Sequence, residues 1–325
     1  MIELNGITKT FLVARRSAGF AQAVRALFRR EEERVEALKD VSFRIEPGEM
    51  VGYIGPNGAG KSSTVKVMSG ILTPDSGTCV IDGLTPWKDR REHVRHIGVV
   101  FGQRSQLWWD VPVIDSFELI RDIYDVDEKE YKRNLDELTQ LLDLAQILRT
   151  PARQLSLGQR MRCEIAASLL HSPNILFLDE PTIGLDAVSK VAVRSFIRNL
   201  NAKKGVTVIL TTHDMQDIEA LTERILLIGQ GHILMDGQLT GLKHRNARWK
   251  RLSVEYGAQD QVHCLPGLEM VETHEGRAVL KLDTQRMSVS DAILQLSRQV
   301  ELRDVSVQGA SVDDIVLSLY EEYGV

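Results

Sequence analysis

Hydrophobic and polar positions follow two rhythms along this chain. From Glu3 to about Leu239, short β-branched and apolar runs alternate with stretches of helical periodicity, the pattern of an α/β domain around a largely buried sheet. The runs predict strands over Val41–Ile45, Met50–Ile54, Thr78–Ile81, Ile97–Phe101, Asn174–Leu178, Val206–Leu210, Arg224–Ile228 and His232–Met235. Those at 175–178 and 206–210 read as strands covered on both faces. Between Asp115 and Leu170 only helical spacing remains, carried by Phe117, Leu119 and Ile120, by Leu135, Leu138, Leu141 and Leu142, and by Ile165, Ala166, Leu169 and Leu170. An all-helical insert, about 104–172, therefore interrupts the α/β core.

Two segments stand apart from this pattern. Residues 14–36 form a charged insertion in which Phe20, Val24, Leu27 and Phe28 recur at helical spacing beside Arg25, Arg29 and Arg30, with Glu31, Glu32 and Glu33 following. It reads as a short amphipathic helix. Its apolar residues suit packing onto its own domain as well as they suit a membrane surface, where the arginines would meet anionic headgroups. After the polar and basic stretch Arg245–Lys250, strands over Arg251–Tyr256 and Ala278–Leu282 and helices over Ser290–Gln299 and Val312–Tyr320 make a small α+β tail domain. The expected division is 1–246 and 247–325.

Size and charge narrow the classes. The chain has 325 residues, beyond the roughly 250–300 at which a single core stops growing. A formal net charge of -5 provides no overall positive field for nucleic acid, so none is expected as a partner. Cys79, Cys163 and Cys264 lie far apart without C-x-x-C or His pairing, which fits a reducing compartment, no zinc site, and thiols serving as small apolar side chains. The start Met-Ile-Glu-Leu-Asn has neither a basic region nor an apolar signal core, and no apolar run reaches about 18 residues; the expectation is a soluble, cytosolic chain.

The chemistry begins at Gly55-Pro56-Asn57-Gly58-Ala59-Gly60-Lys61-Ser62-Ser63, which follows a predicted strand and precedes a helical pattern. That is the context a phosphate-cradling G-x-x-x-x-G-K-[ST] loop requires. Its glycines let the backbone curl so that successive N–H groups face inward, and the helix start adds partial positive charge. Lys61 supplies a full charge for the β- and γ-phosphates, and Ser62 a hydroxyl for Mg²⁺. The sequence thus predicts a bound nucleoside triphosphate.

Groups for metal binding and water activation are expected downstream, on further strand ends. Ile175-Leu176-Phe177-Leu178 runs into Asp179 and Glu180, two carboxylates at the carboxyl edge of a buried strand, where open α/β sheets bind ligands. Asp179 suits Mg²⁺ through a coordinated water, and Glu180 suits orienting and deprotonating the attacking water. His213, just past another buried run, reads as a sensor of the γ-phosphate, with a structural histidine as the competing reading. Gln103, beyond Val99-Val100-Phe101-Gly102, offers a neutral amide to Mg²⁺ or to the water. Leu155-Ser156-Leu157-Gly158-Gln159 precedes a helical run to His171, so Ser156 and the free N–H groups there form either a second phosphate-binding end or an ordinary N-cap.

Taken together, Gly55–Ser62, Gln103, Leu155–Gln159, Ile175–Glu180, Gly184-Leu185-Asp186 and His213 resemble, in order, the Walker A, Q-loop, signature, Walker B, D-loop and switch elements of an ABC-transporter ATPase. The likeness covers residues 1 to about 240. It implies ATP and Mg²⁺ as ligands, a P-loop NTPase core with a helical subdomain, and Phe11 as the aromatic that stacks on adenine. It further implies head-to-tail dimers, with an identical or paralogous ATPase subunit, in which each nucleotide lies between one Walker A and the other subunit's Ser156, Gly158, Gln159 and Asp186. The family's usual signature is L-S-G-G-Q. Here Leu157 replaces the first glycine, so its backbone must lie in a region open to non-Gly residues.

The runs Gly98–Phe117 and Leu155–Asp186 resemble more narrowly the ATPase subunits of a type-two exporter-like group, kin to sodium-efflux and drug-efflux ATPases, whose membrane channels are separate polypeptides. That resemblance implies an exporter subunit, peripheral on the cytoplasmic side of the membrane and partnered by integral membrane subunits. Trp108 and Trp109 fall where such ATPases form a groove for a short helix of the membrane subunit; they either line or support it or pack in the core. The competing functions are a non-transport ABC ATPase of DNA repair or translation, which usually carries a long coiled coil or two ATPase units, and a binding-only regulatory subunit, for which both Glu180 and His213 would be superfluous. The tail domain shows no catalytic constellation and reads as regulatory or as a dimer contact.

Overall fold

The computed structural model describes residues 1–14, 32–102, 104–245, 248–257, 261–309 and 311–324. They form two compact units, Met1–Asp236 and Gly237–Gly324.

The first unit holds two sheets. β1 (Ile2–Ala14), β2 (Glu32–Ile45) and β4 (Ser76–Ile81) make an antiparallel sheet with β1 in the centre. The larger sheet takes β3 (Met50–Ile54), β5 (Ile97–Phe101), β6 (Ile175–Asp179), β7 (Thr207–Thr211), β8 (Arg224–Gly229) and β9 (His232–Gln238) in the order β5-β6-β7-β3-β8-β9. Its first five strands run parallel. Such a sheet buries both faces, and every residue of β7 is buried. Ile2, Leu4 and Ile45 of the small sheet, Tyr53 and Phe177 of the large one, and Met68 share one buried cluster. Each such side chain contributes about 1.5–3 kcal/mol through burial.

Helices α1 (Lys61–Met68) and α2 (Arg90–His96) belong to this core, and α3 (Val113–Tyr124), α4 (Glu128–Leu141) and α5 (Leu157–Leu169) to the insert, where the described residues contain no strand. Asp127 starts α4 by accepting from the backbone N–H groups of Lys129 and Glu130. α6 (Ala187–Lys204) ends at Gly205, whose φ of 65° closes the helix in the left-handed region; α7 (Met215–Leu221) follows β7.

The second unit opens with α8 (Leu239–Arg245) and continues through β10 (Trp249–Glu255), β11 (Leu268–His274), β12 (Arg277–Asp283), α9 (Val289–Ser297), β13 (Asp304–Gly309) and α10 (Val312–Tyr323). Its antiparallel sheet has the order β11-β12-β10-β13. Leu252, Val254, Leu280 and Leu282 of the sheet pack with Ala292 and Leu296 of α9.

Three differences from the sequence reading have physical causes. The units divide at Asp236/Gly237 rather than 246/247, because α8 packs with α10 and buries Leu239 and Leu242. Glu32, Glu33 and Glu36, assigned to the charged insertion, belong to β2, where they sit opposite Ala14, Val13 and Thr10 of β1. The amphipathic helix expected over 20–30 lies outside the described residues. β1 itself carried no strand expectation, since its alternation is broken by register shifts near Gly6, whose φ is 61°. Among the described residues no helix is long and apolar enough to cross a membrane.

Candidate active site

The strand order sets β5, β6, β7 and β3 side by side, so the loops leaving their carboxyl ends meet along one edge of the sheet. The loop after β3 is held close to its surroundings. A Cβ on Gly55 would stand 2.2 Å from the Ile228 carbonyl oxygen, and one on Gly60, at φ 112°, 2.7 Å from that of Ala37. Gly58, at φ 82°, has nothing within 4 Å of a Cβ position, leaving bare backbone beside open space. Ala59 is buried and its carbonyl accepts from Gly231 N–H at 3.0 Å.

Lys61 is only 7% exposed, and its Nζ donates to the carbonyls of Gly55 at 2.6 Å and Pro56 at 3.0 Å. Burial lowers its pKa against the opposing pull of Glu180 and Asp179. A buried cation held chiefly by neutral carbonyls, with two carboxylates nearby, is matched to added negative charge. Next to it the exposed Ser62 Oγ reaches Asp179 Oδ2 at 3.4 Å. A hydroxyl and a carboxylate are the oxygen donors that a hard divalent cation takes.

Asp179 ends β6 opposite Thr211 of β7, whose hydroxyl donates to Asp179 Oδ1. Its carbonyl accepts from Gly102 N–H at 2.7 Å, and a Cβ on Gly102 would come within 2.6 Å of the Glu180 carbonyl oxygen, so the β5 exit can approach only as glycine. Glu180 has a φ of 55°, and its N–H donates to the Thr211 carbonyl at 2.9 Å. His213 Nε2 and Glu180 Oε1 are 3.0 Å apart. Asn57, Ser62, Lys66, Phe101, Asp179 and Glu180 line the adjoining cleft of about 380 Å³.

The single chain thus assembles the P-loop, Asp179, Glu180 and His213. Gln103 lies outside the described residues; Gly102 and Arg104 on either side of it line the cleft. Phe11 sits in β1 opposite Val35, half-buried with Lys9 Nζ 5.9 Å from its ring centre, and does not line the cleft.

Ser156, Gly158, Gln159 and Asp186 form a second cluster. Ser156 caps α5: its Oγ accepts from Gln159 N–H at 3.2 Å while Gln159 Oε1 accepts from Ser156 N–H at 2.9 Å. Leu157 occupies the first helical turn. A Cβ on Gly158 would meet Ser189 Oγ at 2.4 Å, and Asp186 caps α6 by accepting from Ser189 N–H at 2.8 Å.

Trp108 and Trp109 are 60% and 52% exposed, which overturns core packing for both. Trp109 lines a groove of about 260 Å³ with Phe101, Arg104, Leu157, Arg160 and Glu164. The Arg160 guanidinium lies 5.6 Å from the Trp109 ring centre. Glu164 is buried, accepts from Ser105 Oγ and from Gln106 N–H at 2.9 Å, and so ties α5 to the segment after β5. Burial raises its pKa. Sequence reasoning did not single out Glu164 or Thr211, since each looks like ordinary filler of its helix or strand.

The family model for ABC transporters matches residues 38–183. The chain is 31% identical to the ABC transporter ATP-binding protein NatA of Bacillus subtilis over 215 residues, 66% of this chain and 87% of that protein. It is 31% identical to the daunorubicin resistance ATP-binding protein DrrA3 of Streptomyces coeruleorubidus over 290 residues, 87% of this chain and 91% of the relative. Among solved structures, the dimeric post-hydrolysis state of the ATP-binding cassette MJ0796, bound to ADP and Pi, superposes with a TM-score of 0.61 at 28% identity, covering 74% of this chain and 99% of that one. With the phosphate loop, the paired carboxylates and the strand-end histidine on one sheet edge, this chain belongs to the ATP-binding, ATP-hydrolysing subunits of ABC transporters, in their exporter-like group.

Proposed function

We propose that this subunit powers efflux of hydrophobic or cationic compounds by clamping ATP between two copies of itself, or between itself and a paralogue, beneath separate integral membrane subunits. The drug-resistance names of its relatives support the cargo class. In each site Lys61 and the N–H groups of residues 58–63 bind the phosphates, and Ser62, Asp179 and Gln103 are positioned in sequence to hold Mg²⁺. When bound, that ion offsets charge on the β- and γ-phosphates. Glu180 orients the attacking water and takes its proton, and His213 holds Glu180 and the γ-phosphate in register. Ser156, Gly158, Gln159 and Asp186 of the opposing copy close the site, and the adenine, lying beyond the phosphate cleft, meets Phe11 of β1. The groove at Trp109 receives a short helix of the membrane subunit, which keeps the chain on the cytoplasmic face.

One observation carries this reading: Glu180 and His213, from neighbouring strand exits, meet at 3.0 Å beside the phosphate loop. Glu180→Gln keeps the shape of that contact and removes the base. The variant is expected to bind ATP, lose turnover by at least about 100-fold, and accumulate as an ATP-dependent dimer in light scattering. Wild-type turnover without a dimer would remove Glu180 from the role.

A further inference from the structure

We propose that Asp217 is a positioning residue for ATP hydrolysis, holding the segments that carry Glu180 and His213 in one fixed arrangement on α6. The inference rests on the reading of Glu180 and His213 as the reacting pair and deepens it. The Asp217 side chain is 0% exposed. Its Oδ2 accepts from the hydroxyls of Thr182 and, at 3.1 Å, Thr212, and its Oδ1 accepts from Arg194 Nε at 2.5 Å. Thr182 stands two residues after Glu180, Thr212 immediately before His213, and Arg194 on the helix that Asp186 caps. One carboxylate therefore joins the water-activating loop, the switch loop and the helix of the D-loop.

A second layer repeats the tie from the other side of His213. Asp214 Oδ2 accepts from Lys190 Nζ at 2.6 Å and Arg194 at 3.3 Å, and the Asp214 N–H donates to Thr212 Oγ1 at 3.0 Å. Asp214 is thus anchored to α6 directly, and Thr212 through the Asp217–Arg194 pair.

Magnitudes separate this role from plain fold maintenance. Glu180 sits at φ 55°, a conformation that costs a non-Gly residue about 1–2 kcal/mol and persists only where the surroundings over-determine it. The Glu180–His213 contact, with the His213 ring about half exposed, supplies too little: exposed pairs contribute about 0–1 kcal/mol. A buried ion pair such as Arg194–Asp217 is weak evidence for stability, since apolar residues of similar size often do as well. What an apolar replacement could not do is accept from two hydroxyls and a guanidinium at once, and so fix three chain segments in register.

The test uses the full-length chain. Thr182→Val is isosteric and removes one arm of the network without touching Asp217 or Arg194. Its turnover number is expected to fall about 10–100-fold with KM for ATP within about twofold, and Thr182→Ser is expected to regain most of it. Thr212→Val should show the same split from the His213 side. As a control, Asn201→Ala removes half-buried hydrogen bonds to the Gly48 and Val206 carbonyls at 2.8 Å each, and should lower the melting temperature with turnover unchanged. If both valine variants keep wild-type turnover, or if they lose turnover and ATP affinity together with stability as misfolded chains do, Asp217 has no positioning role. Loss of the underlying reading would show separately, as undiminished turnover in Glu180→Gln.

Discussion

Leu157 of the signature segment lies directly over Gly184 of the D-loop: a Cβ built on Gly184 would stand 2.8 Å from Leu157 Cδ2. Gly184 also has a φ of 69°, so any side chain there meets two penalties, one from the backbone and one from its neighbour. Gly184→Ala should cost about 1–2 kcal/mol through the left-handed backbone, plus the displacement of the leucine. Leu157→Gly, which restores the family's usual glycine, loses roughly 1 kcal/mol of helix propensity but clears the space. The double variant should therefore be more stable than the sum of the singles by about 0.5 kcal/mol or more. Urea unfolding of the four proteins measures that coupling; strict additivity would mean the two residues do not press on each other.

His171 gives the fold an acid-sensitive joint. Its ring stacks on Tyr124 at 3.9 Å, its Nε2 donates to the Ile97 carbonyl at 2.9 Å, and its buried Nδ1 has no hydrogen-bond partner among the described residues. Burial drives its pKa from 6.5 down to about 4. Between those values the unfolded chain takes up a proton that the folded chain refuses, so this contribution to stability is complete above pH 6.5 and is lost as pH falls toward 4. His171→Gln should flatten the decline of melting temperature between pH 6.5 and pH 4.5 relative to wild type. Parallel curves for the two proteins would show that His171 stays charged, or stays neutral, in both states.

Exposure of the two tryptophans and burial of Glu164 predict opposite phenotypes around one groove. Trp108→Ala combined with Trp109→Ala removes side chains that are more than half exposed, so its melting temperature should remain within a few degrees of wild type. Its yield in co-purification with the membrane subunits should fall several-fold. Glu164→Ala instead strands Ser105 Oγ and the Gln106 N–H, and should cost about 1–3 kcal/mol. A double tryptophan variant that binds the membrane subunits at wild-type yield sinks the docking role.

Local signals were legible and long-range ones were not. β3 and β5 form with the ends that their apolar runs predict, Met50–Ile54 and Ile97–Phe101. The phosphate loop and Asp179-Glu180 could be read because each is a contiguous string beside a buried run. β11 and β13 carried no signal, being edge strands that are largely exposed or half-exposed, with a register shift near Met270 in β11. The hydrogen bonds from Thr211 to Asp179 and from Thr182 to Asp217 span 32 and 35 residues. No periodicity encodes such pairs; they exist only once the strand order is set.

Ser156 has two jobs that one substitution can separate. As the N-cap of α5 it satisfies the Gln159 N–H, and Ser156→Ala should cost about 1 kcal/mol of stability for that alone. Its proposed second job is to face the γ-phosphate bound by another copy, where its hydroxyl is neutral. Aspartate caps helices as well as serine and favours the helix dipole, so Ser156→Asp should melt at or slightly above the wild-type temperature. Placed against a triphosphate, however, the same carboxylate meets like charge in a closing, water-poor seam, where repulsion is several-fold stronger than in bulk water. Combined with Glu180→Gln, it should abolish the ATP-dependent dimer while single-chain ATP binding survives. A dimer that still forms with aspartate at this position would leave Ser156 as a helix cap and nothing more.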